Sequence, residues 1–243
     1  MHKYTAPRWA TLVDGLISYV LEDLFSMRRS IPLAWAINVH KIGTLFLILA
    51  MMFYYQNFTS AAWVYLALHG IYGYCWMVKD LGFRDGSFHT PITLLGGFLL
   101  YPMLVGWYWL LPWLFISKAM EPTGPQLFLA VAVHTLGITW MIAADCQKYF
   151  SLKYNRGLIT DGVFKYTRNP NFLGEVMIYG AYALLVNHWL GYLVLSYALI
   201  YFYSRMLVKD ASISRYPEWD EYVAQSSRLI PWKMLRPQRD SSL

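Results

Sequence analysis

The chain has 243 residues, of which 57% are hydrophobic, 18% aromatic and only 14% charged, with a formal net charge of +6. This excludes a disordered chain, which is poor in aromatic residues, and a soluble domain of ordinary composition, in which about 25% of residues are charged. The 16 Gly and 11 Pro follow no period, which excludes a collagen-like repeat, and two cysteines, Cys75 and Cys146, cannot build a disulfide-stapled domain.

Residues 7–27 come first. Trp9, Leu12, Leu16, Val20 and Leu24 recur at helical spacing. Asp14, Glu22 and Asp23 interrupt the apolar core that a secretory signal needs. The segment predicts an amphipathic helix lying in the membrane interface. Apolar runs follow over 42–55 (extendable back to 31), 60–78, 91–116 with breaks at Pro102 and Pro112, and 125–144. A spanning helix needs about 20 mostly apolar residues. The stretch 172–203 is too long for one span and carries a polar break at Asn187–His188, so it predicts a helical hairpin. The total is six spans. Between the first two, Asn57-Phe58-Thr59 is a formal glycosylation sequon wedged against both, and is expected to stay unused.

The basic residues test this count, because cytoplasmic loops carry an excess of Lys and Arg. With the N-terminus inside, segments 1–41, 79–90, 145–171 and 204–243 are inner and hold 5, 2, 5 and 7 Lys/Arg, 19 of the chain's 20. Only Lys118 falls outside. The predicted fold class is therefore an all-α polytopic integral membrane protein with both termini cytosolic, in the endoplasmic reticulum membrane if the cell is eukaryotic. The positive charge fits this topology and anionic headgroups, and no nucleic-acid partner is expected. The expected organisation is an interfacial helix over 1–30, lipid-substrate spans over 31–144, a cofactor-binding region over 145–232 and a flexible tail over 233–243.

Polar residues concentrate after Ala144. Asp145, Lys148 and Lys153 close the fourth span, and Gly157 and Gly162 allow tight turns beside polar neighbours. In Arg168-Asn169-Pro170-Asn171-Phe172-Leu173-Gly174-Glu175, Pro170 suits a first helical turn and Asn169 an N-cap. The free N–H groups of that helix start attract an anion. Arg168 offers a planar fork to phosphate or carboxylate, with a snorkelling interfacial arginine as the alternative. A carboxylate inside an apolar helix, Glu175, is costly unless paired or wet. Its plain alternative is an ion pair with Arg168 or Arg205. Asn171 and Tyr179, four residues either side, share its face. Arg205 and Lys209 stand at the mouth of the sixth span. Tyr216, Trp219 and Tyr222 form an interfacial belt or a stacking platform. No dinucleotide glycine fingerprint, P-loop, zinc-protease motif or hydrolase elbow is present, and scattered histidines predict no metal site.

The run from Gly162-Val163-Phe164 through Tyr166 to Pro170-Asn171-Phe172-Leu173-Gly174-Glu175, with Tyr182-Ala183-Leu184 and Tyr222…Leu229-Ile230-Pro231, resembles the C-terminal domain of the steroid 5-alpha-reductase family. The resemblance covers about residues 140–232. That membrane fold is shared by sterol reductases and by the isoprenylcysteine and phospholipid methyltransferases. It implies an NADPH-dependent reductase of a carbon–carbon double bond in a steroid or other hydrophobic lipid, with the cofactor held near the cytosolic face. Carried over by motif, Asp145, Lys148, Arg168, Asn171, Gly174, Glu175, Tyr179, Arg205, Lys209 and Tyr222 would line the cofactor site. A reductase also needs a proton donor for the substrate carbonyl, for which the second span offers Tyr72 and Tyr74, with His69 one turn from Tyr72. Glu175 after Gly174 favours the reductase branch, whereas Arg168 before Asn169-Pro170 is methyltransferase-like. The alternatives are an S-adenosylmethionine-dependent methyltransferase acting on a lipid or isoprenylcysteine, and a non-catalytic membrane scaffold.

Overall fold

A computed structural model describes residues 3–235. The chain is 77% helical and is an all-α membrane protein. Of the tail expected over 233–243, residues 236–243 lie outside the described residues, and Trp232–Leu235 form a 3-10 turn.

Helix α1 (Arg8–Ser18) is shorter than the expected 7–27. The chain continues through a π-turn, Tyr19–Asp23, and a 3-10 turn, Leu24–Ser26, in which Phe25 and Ser26 take positive φ. Trp9, Leu12 and Leu16 are 43%, 71% and 59% exposed, so the apolar face of α1 points away from the bundle, as an interfacial helix requires. The helix lies along the last long helix: the Asp14 carboxylate accepts from Arg205, and Trp9, at the edge of the exposed apolar face, stacks on Tyr203.

The bundle is built from α2 (Leu33–Tyr54), α3 (Ser60–Gly82), α4 (Leu94–Leu100), α5 (Leu110–Ser117), α6 (Gly124–Tyr154), α7 (Pro170–Val186) and α8 (Trp189–Ile213), with a short α9 (Trp219–Gln225) after it. Four stretches are long and apolar enough to cross a membrane: Leu33–Tyr54, Leu94–Ser117, Gly124–Tyr154 and Trp189–Ile213. Large apolar side chains such as Phe46, Phe98, Phe128, Leu136 and Ile200 are exposed along them, where hydrocarbon is the natural solvent. The other two segments expected to span are also helices. α3 carries more polar residues, and the shorter α7 is the central helix, with Ile178, Ala181, Tyr182 and Ala183 fully buried.

The stretch 94–117 breaks where proline foretells it. A π-turn, Tyr101–Val105, and a 3-10 turn, Gly106–Trp109, separate α4 from α5. Carbonyls freed by the break are recaptured: the Trp107 indole donates to Pro102 O at 2.8 Å and the Tyr197 hydroxyl of α8 donates to Met103 O. Such recapture is what permits irregular backbone at membrane depth. Pro112 falls in the first turn of α5, where its missing N–H costs little. The hairpin turns at Asn187 (φ 40°), and His188 caps α8 by accepting from the Leu190 N–H. Asn57 of the sequon is buried, its amide donating to Ile116 O. A two-strand ladder, β1 (Arg29–Pro32) against β2 (Pro91–Thr93), has no signal in the apolar pattern of the sequence. It ties together the starts of α2 and α4.

Two glycine contacts set the inner spacing. A Cβ on Gly174 would meet Gly137 O at 2.5 Å, and one on Gly137 would meet Gly174 O at 2.8 Å, so α6 and α7 touch backbone to backbone. A Cβ on Gly73 would lie 2.0 Å from Lys41 O, which locks α3 against α2 beside Tyr72.

Candidate functional site

A cavity of about 520 Å³ opens among α1, the π-turn after it, α2, α3, the broken stretch 94–117, α6, α7 and α8. That volume lies within the range of about 300–1,000 Å³ typical of small-molecule sites. Its charged residues gather at one end of the bundle and its apolar residues line a side arm, and helical spacing explains the grading. On α7, Asn171, Glu175 and Tyr179 are successive rungs about 6 Å apart, at 1.5 Å per residue. On α6 the order runs Lys148, Asp145, Met141, from charged to apolar, and on α8 it runs Lys209, Arg205, Phe202, Ala198. Leu100, Leu104, Val105, Tyr197 and Tyr201 complete the arm.

At the mouth, each cation meets an oxygen. Lys79 pairs with Asp145 at 2.9 Å, both almost fully buried, and Lys148 pairs with Asp85 at 2.6 Å. Arg205 donates to Asp14, and Lys209 donates to the Arg168 carbonyl at 2.8 Å. Burial pushes the Asp85 carboxyl up, but the Lys148 ammonium and the Ser87 N–H and hydroxyl outweigh it and hold the group down at about 2.

Deeper in, four polar side chains from three helices converge. Lys41 of α2 donates to the Tyr72 hydroxyl of α3 at 2.7 Å and to the Tyr179 hydroxyl of α7 at 3.1 Å. Tyr72 donates in turn to Glu175 Oε2 at 2.7 Å. The Lys41 ammonium also stands 4.5 Å from the centre of the Trp76 ring. Behind this cluster lies a void of about 10 Å³ lined by His40, Lys41, Thr44, His69, Tyr72, Tyr108 and Tyr179.

Asp145, Lys148, Asn171, Glu175, Tyr179, Arg205 and Lys209 all line the main cavity. The remaining site candidates are placed elsewhere. Arg168 is 6% exposed and spent inside the protein: it grips both Asp210 oxygens at 3.1 and 3.0 Å and donates to Ser226 O, so its fork is not open to a ligand. Neither alternative raised for Glu175 is realised, since its partner is Tyr72 rather than Arg168 or Arg205. Gly174 serves the α6–α7 contact. Tyr222 is buried outside the cavity, its hydroxyl donating to Phe164 O at 2.8 Å. Tyr72 joins the cluster, whereas Tyr74 lines neither space.

Lys41, the last residue of the inner segment 1–41 in the sequence reading, is a cavity residue that this reading misses. It sits two turns inside α2, 9% exposed. The signal was present: a lone lysine among apolar residues of a spanning helix is itself a mark of function.

Residues 124–210, just over a third of the chain, match the phospholipid methyltransferase family. A protein of Schizosaccharomyces pombe described as uncharacterized is 30% identical over 73 residues, 30% of this chain and 27% of that protein. No solved structure matches. The matched family lies on the methyltransferase side of the superfamily that the sequence resembles, and it supports a lipid-modifying membrane protein. Nothing in these comparisons supports NADPH, oxidoreduction or a steroid, which the motif resemblance had put first.

Proposed function

We propose that the protein is an S-adenosylmethionine-dependent methyltransferase acting on a membrane lipid. The family match over 124–210 carries the reading, because it contains the cavity rungs of α6 and α7 and most of α8.

The chemistry of the walls fits this cofactor better than the alternative. A nicotinamide dinucleotide phosphate is a polyanion and needs several unmatched cations. Here Lys79, Lys148 and Arg205 each face a carboxylate already, which leaves Lys41 and Lys209 as the cavity cations without one among the described residues. S-adenosylmethionine joins a sulfonium, an ammonium and one carboxylate to an adenine, and walls of mixed sign with aromatic faces suit it. Lys79, Asp145, Lys148 and Asn171 would hold its polar end, with Trp76, Phe88 and Phe172 beside its ring. When bound, it supplies an electrophilic methyl group. The chain's own work is to hold the lipid in the apolar arm with its head at the rung of Glu175 and to shield that junction from water.

The reductase reading keeps one observation in its favour, the phenol of Tyr72 beside a carboxylate and an ammonium, which is an arrangement able to polarise a carbonyl. Titration calorimetry on the purified protein in detergent separates the readings. Binding of S-adenosylmethionine with no binding of NADPH is expected. The reverse result establishes the reductase, and binding of neither leaves the scaffold.

A further inference from the structure

We propose that Glu175 is the proton acceptor of the transfer, positioned by Tyr72 and Lys41, and that the lipid acceptor carries an N–H or O–H at its reacting atom. This rests on the methyltransferase reading.

Four carboxylates line the cavity. Glu22 pairs with Arg29, Asp85 with Lys148 and Asp145 with Lys79. Of these four, Glu175 alone has no Lys, Arg or His nitrogen within 4 Å among the described residues. Its hydrogen bond runs through Oε2 to Tyr72, and among the described residues no protein donor reaches Oε1. Glu175 is thus a cavity carboxylate with one oxygen anchored and one to spare, set where the charged mouth passes into the apolar arm.

That placement selects the acceptor. In a dry, low-dielectric site a lipid carboxylate at this rung would meet a like charge, whereas an amine or hydroxyl head meets a hydrogen-bond acceptor. An acceptor of that kind must also lose a proton. As its lone pair forms the bond to the methyl carbon, the methyl–sulfur bond breaks and its electron pair stays on sulfur. The proton displaced from nitrogen or oxygen goes to Glu175 Oε1. Lys41 and Tyr72 do not touch the reacting atoms. They fix the carboxylate from behind, and Gly73 holds the two together by letting α3 close on Lys41. The void beyond has room for one water, which needs a few polar partners. His40, 3% exposed, faces it with both ring nitrogens unbonded.

The full chain in detergent, without cofactor, is tested first by equilibrium binding of tetradecylamine, tetradecanol and tetradecanoate. The amine and alcohol should bind at least about tenfold more tightly than the carboxylate, a difference of one charge-assisted hydrogen bond. Glu175→Gln, which keeps an acceptor for Tyr72, should abolish that preference. In single-turnover transfer to the amine or alcohol, Glu175→Gln should lose about 10²- to 10⁴-fold while binding S-adenosylmethionine as the unaltered protein does. Tyr72→Phe should lower the transfer rate about tenfold, the worth of one such hydrogen bond, with both affinities unchanged. Lys41→Arg should retain the rate that Lys41→Met loses. A preference for the carboxylate, or full transfer by Glu175→Gln with the methyl donor bound, overturns the proposal alone. Failure of the unaltered protein to bind S-adenosylmethionine overturns the methyltransferase reading instead.

Discussion

Single residues show most clearly where chemistry and packing part company. Arg168 has the charge, the fork and the neighbouring helix start of a ligand-binding arginine, yet it is buried against Asp210, which Arg228 also reaches at 2.9 Å. Together they clasp the loop before α7 and the segment after α9 to the end of α8. Asp210 is fully buried, so its removal strands two guanidinium groups. Asp210→Ala should cost about 3–5 kcal/mol, read as a lower thermal unfolding midpoint in detergent. Because Asp210 lies outside the cavity, the fraction that remains folded should bind S-adenosylmethionine normally. Glu175 shows the converse. Its cost inside an apolar helix is legible in sequence, whereas its partners come from α2 and α3, 134 and 103 residues away, and no local pattern names them.

At the scale of elements, the apolar runs and their breaks locate the helices well. Pro102, Asn187 and the run lengths mark the broken stretch and the hairpin, because proline removes a donor and a polar break admits a left-handed turn. The β1–β2 ladder escapes notice, since strands of four and three residues pair only after the helices they precede are side by side. The glycines are equally mute until packed. Gly174→Val would force a branched side chain into the Gly137 carbonyl and should cost at least about 1–3 kcal/mol, seen as loss of thermal stability, whereas Gly180→Val meets open space and should change little. The loop between α3 and β2 is tied to α6 by Asp85 and Lys148. With its carboxyl held at about 2 against an ordinary 3.8, this pair contributes stability that is complete above about pH 4 and is lost as pH falls through 2. Asp85→Asn should flatten the acid limb of the stability profile over that interval.

For the molecule as a whole, the distribution of basic residues argues that the charged mouth faces the cytosol. A glycosylation or protease reporter at Asn187 should then appear on the opposite side from one at Arg215; both on one side would overturn the six-span arrangement. Composition, run length and charge asymmetry are properties of the chain that folding does not alter, so the sequence by itself determined a helical membrane protein and the third of the chain in which its polar residues concentrate. The tertiary structure decided which polar residues meet. It withdrew Arg168 and Tyr222 into the scaffold, delivered Lys41 to the cavity and set Tyr72 against Glu175. The reason is physical: the cost of a buried polar group depends on the partners it finds across helices, and those partners are fixed only when small residues such as Gly73, Gly137 and Gly174 let the helices close.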